Sequence, residues 1–167
     1  MEKQKKSKSK PENPEYVMKL EKSYGPPSQD GFGSAVFFDQ VSPDQSIEEA
    51  SLEKYKYFVG ELWERWGEEA WMSQWKEVYT RQEGKKHDIV TELLSITDLN
   101  AEPSVGMILN VVKDPDVAKA NLSIVYDDPD VVNLRVYNLG DGGAMSGLLV
   151  VGQRSNLDTT FLAFLLD

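Results

Sequence analysis

The sequence predicts an α+β fold, in which an antiparallel sheet of three to five strands, mostly C-terminal, packs by one face against a helical N-terminal half. Three observations predict it. Leu52, Tyr55, Phe58, Val59, Leu62 and Trp66 recur at three- and four-residue steps, one face of an amphipathic helix. Val132, Leu134 and Val136 alternate with Asn133, Arg135 and Tyr137, the two-residue period of a strand with one buried face. Leu148–Val151 and Phe161–Leu166 are unbroken apolar runs of strand length.

In chain order, residues 1–29 read as a disordered, lysine-rich tail, because Lys, Ser, Pro, Glu and Asn cannot bury enough surface to offset the entropy of ordering. Tyr16–Leu20 is a faint apolar island within it. The single domain is expected over 30–167, opening with a short strand at 35–38. Ser46 followed by Glu49 has the spacing of a capping box and marks a helix start. At about 100° per residue, the apolar stripe through 55, 59, 62 and 66 and that through 71, 75 and 78 point in nearly opposite directions. Gly67 lies at the changeover, so the spacing predicts two helices, 46–66 and 68–82, with a break between them. The segments at 89–96 and 105–112 are expected to be short helices. Gly140–Gly147 and 152–158 read as connections of an antiparallel meander. The strand at 159–166 has no polar alternation, so its outer side needs cover from the 34–38 strand, another segment or a second subunit.

With 167 residues the chain can bury a core unaided. It has no cysteine, which excludes disulfides, zinc–thiolate sites, iron–sulfur clusters and cysteine nucleophiles. The net charge of −10 is unevenly spread: residues 1–22 carry seven Lys and four Glu, and the rest carries eleven basic and 24 acidic groups, a balance of −13. So acidic a body repels phosphate backbones, and nucleic-acid binding by it is not expected. No apolar run approaches the about 20 residues of a membrane-spanning helix. The cytoplasm is the expected location.

The residue types that carry catalysis are sparse. His87 is the only histidine, and Lys85, Lys86 and Asp88 around it suit a solvated connection. No serine has the nucleophile-elbow glycines. Asp114, Asp116, Asp127, Asp128 and Asp130 lack calcium-loop spacing, and aspartate with proline is turn chemistry. No metal or cofactor is expected. Two features remain. The glycine-dense segment containing Gly140, Asp141, Gly142, Gly143 and Ser146 is a hairpin connection that could also cradle an anion or grip a partner. The aromatic cluster of Tyr55, Tyr57, Phe58, Trp63, Trp66, Trp71, Trp75 and Tyr79 exceeds what one helix-pair face can bury. Tyr57 and one of Trp71 or Trp75 are therefore expected outward, as interface anchors. These features favour a non-catalytic protein acting through protein–protein contacts, with a homodimer among the options. The alternative is a small enzyme or ligand-binding domain built on the 140–147 loop.

Overall fold

The computed structural model describes residues 13–166. The apolar runs of the C-terminal third form β3 (Val131–Gly140), β4 (Ser146–Arg154) and β5 (Asp158–Leu166), joined upstream by β1 (Gly33–Gln40) and β2 (Glu77–Thr80). The five strands make one antiparallel sheet in the order β1-β5-β4-β3-β2. β5 is therefore internal. Its outer side is zipped to β1, with Phe37 opposite Phe161 and Ala35 opposite Ala163, which is the cover its apolar sequence demands.

Seven helices are present among the described residues: α1 (Glu15–Tyr24), α2 (Ile47–Val59), α3 (Leu62–Trp66), α4 (Glu68–Met72), α5 (Ile89–Leu94), α6 (Glu102–Gly106) and α7 (Pro115–Tyr126). A π-helical turn, Met107–Val111, continues α6. The α+β class is as the sequence predicts, but helices cover both faces of the sheet rather than one. On the first face Val36, Leu162, Val150 and Val136 stand opposite one another across four strands. They pack under α1, α5, α6, the π turn and α7. On the second face Phe37, Phe161, Leu149 and Tyr137 pack under α2, α3 and α4. Both faces being dry explains why β4 and β5 lack polar alternation.

The expected tail over 1–29 reaches too far into the chain. Val17, Leu20 and Tyr24, at helical spacing, are buried in α1. Asn121 of α7 donates to the Lys19 carbonyl at 3.0 Å, and the Tyr24 hydroxyl donates to the Ile108 carbonyl at 2.8 Å. The apolar island at 16–20 is thus a docked helix, while the expectation for residues 1–12 lies outside the described residues. The strand expected at 35–38 runs longer, over 33–40.

The capping box at Ser46 and Glu49 forms as its spacing predicts. The chain does break at Gly67, which has φ 92°, but it breaks earlier as well, at Gly60 with φ 68°. Both values lie in the left-handed half of φ space that glycine enters without steric cost. The helix expected over 68–82 stops at Met72, and β2 follows it. Val78, Tyr79 and Thr80 are strand-prone residues, and the open side of β3 supplies their backbone partners, continuing to Arg81 N–H on the Leu134 carbonyl at 2.9 Å. α7 falls where the aspartate–proline pattern suggested only a turn: Pro115 occupies the first helical turn, and Ala118, Leu122 and Val125 form the buried stripe.

Candidate functional site

The two features singled out in the sequence meet at one end of the sheet. Tyr55 lies on the buried stripe of α2, directed there by the three- and four-residue spacing. Its hydroxyl donates to the Trp71 carbonyl at 2.7 Å and accepts the Gly140 amide at 3.0 Å. Burial pushes this phenol well above its ordinary pKa, so it stays protonated and bridges the aromatic helices to the β3–β4 hairpin. Around it the rings are stacked. Trp75 lies parallel to Tyr55 at 5.7 Å and to Tyr137 at 4.7 Å, and Trp66 lies parallel to Trp71 at 5.3 Å.

The hairpin itself is tightly wired. Asp141 and Gly142 donate their amides to the Met145 carbonyl, and the Asp141 carboxylate accepts the amides of Gly143 at 2.9 Å and Met145 at 3.0 Å. Together with Gly140 on Tyr55, five loop amides are committed inside the protein, which removes most of the donors an anion cradle would use. Asp141 is a loop clamp. Gly142 permits a close approach: a Cβ there would lie 2.7 Å from Gln74 Nε2.

A shallow groove of about 340 Å³ lies beside the hairpin, lined by Gly142, Gly143 and Ser146 together with Gln74, Leu99, Asn100 and Pro103. Asp98, next in sequence to the lining residue Leu99, is engaged by Asn138 Nδ2 at 3.0 Å, the Asn100 and Ala101 amides at 2.8 and 3.1 Å, and Lys76 Nζ at 3.1 Å. Burial alone would raise its pKa, but these hydrogen bonds outweigh it and hold the carboxyl below the ordinary range. Asp98 anchors the loop that carries Leu99 and Asn100.

The second dense polar cluster lies away from the groove. Arg81 grips both Glu92 oxygens at 2.8 and 2.6 Å and the Tyr126 carbonyl at 3.0 Å. Tyr79 donates to Glu92 at 2.7 Å, and burial with the adjacent carboxylate pushes its phenol up to about 12. Burial would raise the Glu92 pKa, but its bonds from Arg81 and Tyr79 hold it low; Asp127, held mainly by burial, is raised. All of these groups pair with one another across α5, α7 and β2. His87 Nδ1 contacts the Asp128 carbonyl at 3.1 Å. Among the described residues no group of three or more His, Asp or Glu could hold a metal ion, and no helix is long and apolar enough to cross a membrane.

The sequence-selected residues therefore separate into three sets. Gly142, Gly143 and Ser146 line the groove, and Gly140 and Asp141 build its hairpin. Tyr57 is half exposed on the far side of α2, edge-on to Phe37 at 5.8 Å. Trp71 is not outward: it is fully buried, and its indole donates to the Leu62 carbonyl at 2.9 Å. Trp75 is partly buried, with its N–H on Glu48 at 2.9 Å. The exposed tryptophan is Trp66, at 46%, because the turn at Gly60 resets the helical phase that placed it on the buried stripe. Leu99, at 86% exposure, was also missed. A Gly60 between two helical runs was the signal for the first; nothing in the pattern around 95–101 marked the second.

No family model matches the chain, and none of the curated proteins compared with it matches either.

Proposed function

We propose that this is a non-catalytic binding protein that acts through protein–protein contacts. The observation that carries the reading is Trp66, a large aromatic left 46% exposed yet held in a fixed orientation by its stack on Trp71. Tryptophan and tyrosine are the residues most enriched at interface hot spots, and a pre-ordered ring avoids the entropy cost of immobilisation on binding. Tyr57 adds a second half-exposed aromatic on the same helical layer. The partly buried acids near the groove and in the Arg81 cluster support the reading too, since their lone pairs are spent on structural partners rather than aimed at a substrate. The enzyme or ligand-binding alternative has the 140–147 groove in its favour, but Asp141 and five loop amides are already engaged there. The same reading takes the cytoplasm as the compartment.

The test is affinity purification of the tagged full chain from its native cell, beside a Trp66→Ala variant. The expected result is one specific partner whose retention falls at least about tenfold with the variant, as hot-spot truncation does. A variant with unchanged melting temperature and unchanged partner recovery overturns the assignment to this surface.

A further inference from the structure

We infer that the α3–α4 corner around Trp66 docks a basic protein segment, one that lays an arginine or lysine side chain on the indole; this rests on the protein-binding reading above. The indole is parallel to Trp71 within 4°, and Trp71 is fully buried and stacked in turn on Trp63 at 6.2 Å. One face of Trp66 is therefore spent on the protein, while the residue as a whole stays 46% exposed. An aromatic face carries negative potential and attracts a guanidinium or ammonium group, tryptophan most strongly.

The α3–α4 segment is mainly acidic, with Lys56 of α2 already seated over the neighbouring Trp63 ring at 5.7 Å. Between residues 61 and 69 Glu61, Glu64, Glu68 and Glu69 are exposed and Arg65 is the only base. Among the described residues none of these four carboxylates enters an ion pair, whereas Asp39, Glu92 and Asp98 all do. Glu64 stands in the first turn of α3, and Glu68 and Glu69 in that of α4, where a helix favours acids, but five-residue helices offer little of that. Four like charges within nine residues repel one another, and a cationic partner relieves that repulsion while filling the aromatic face. A phosphate-bearing partner is repelled here, and no metal-binding group is present among the described residues. The occupant that fits both the ring and the charge is a basic stretch of another protein.

An eight-residue alternating Arg-Ala peptide serves as the probe, titrated into the full chain at low salt by calorimetry. Glu61→Gln, Glu64→Gln, Glu68→Gln and Glu69→Gln together should weaken binding at least tenfold. The control combines Glu15→Gln, Asp44→Asn, Glu83→Gln and Glu102→Gln, four other exposed acids, and should change it less than twofold. Trp66→Leu, which keeps an apolar side chain, should cost a further several-fold loss. Equal weakening by both four-residue variants, or no binding at all, overturns the inference. So does tighter peptide binding when Lys3, Lys5, Lys6, Lys8 and Lys10 are all changed to Gln, which would make the chain's own lysines the occupant. A dimer abolished by the four Glu→Gln changes would make the occupant a second copy and overturn it equally. If a captured native partner is lost on Trp66→Ala but binds the four-Gln variant normally, the basic-partner inference fails and the protein-binding reading stands.

Discussion

The two faces of the sheet are covered in different ways. The first face is closed by helices drawn from distant parts of the chain, α1, α5, α6 and α7, packed mainly through aliphatic residues. Its buried polar groups cross-link those distant parts: Asn121 to Lys19, Tyr24 to Ile108, and the Tyr126 hydroxyl near the Val150 and Thr160 carbonyls at 3.2 and 3.3 Å. The second face is closed by one local stretch, 47–72, whose three helices are separated by glycines and filled with stacked rings. Long-range cross-links tie the first layer into the fold from several directions. A local layer of rings can fit the sheet and still leave aromatic edges outward, which is where Tyr57 and Trp66 lie. On the proposed reading, the long-range cross-links lie on one side of the sheet and the recognition chemistry on the other.

Mutations can break that division. Tyr126→Ala should have the largest effect, about 3–5 kcal/mol in denaturant unfolding, because it empties a fully buried aromatic site on the first face. A loss below about 1 kcal/mol would mean the first face is not the stabilising one. Arg81→Ala should cost about 3 kcal/mol, since Glu92 is left buried without its cation. Replacing Glu92 with Gln in the same protein should recover part of that loss, and its failure to do so would separate the effect from the unpaired charge.

Tyr55→Phe removes the hydroxyl shared by the Trp71 carbonyl and the Gly140 amide, with an expected cost of about 1–2 kcal/mol. Amide exchange at Gly140 should accelerate, and an unchanged rate would detach the hairpin from the aromatic layer. Trp66→Ala should cost least, under about 1 kcal/mol, while abolishing partner binding. A larger stability loss would make Trp66 a packing residue and erase the contrast.

Acid should act first on the polar cross-links. Glu92 and Asp98 titrate below their ordinary values in the fold, so their stabilisation is present above about pH 4 and is lost as the pH falls through their folded pKa values. Asp127 runs the other way: raised by burial, it favours the fold when protonated and opposes it as the pH rises through its folded pKa. Glu92→Gln should therefore flatten the acid limb of a stability–pH profile, and Asp127→Asn should remove the opposing slope above it.

The fold class could be read from residues whose neighbours in sequence decide their state. The unbroken apolar run of β5 demanded cover on both faces, and the Ser46 capping box fixed a helix start locally. β2 could not be read that way, because its strand state comes from the open side of β3, more than 50 residues away. α1 was hidden by composition: only three buried positions carry it, set among lysines and glutamates. The site divided along the same line. The 140–147 segment was visible as glycine density, but the commitment of its amides depends on Tyr55, Asp141 and the Met145 carbonyl, and the exchange of Trp71 or Trp75 for Trp66 as the outward ring depends on one turn at Gly60.

The sheet order also sets the sequence of events in building the molecule. β5, the last of the described strands in the chain, lies between β1 and β4, and its contact with β1 joins residues as far apart as Gly33 and Leu165, 132 positions. Until β5 emerges from a ribosome, β1 has no strand neighbour and β4 has an open, mainly apolar side. Closure of the sheet therefore waits for β5 and has a large loop to close, slow by the standards of chains whose contacts are local. During synthesis the apolar strands are exposed to chaperones and to other nascent chains. Ribosome-stalled chains ending before residue 158 should remain protease-sensitive at β1, and protection should appear only once β5 has cleared the exit tunnel.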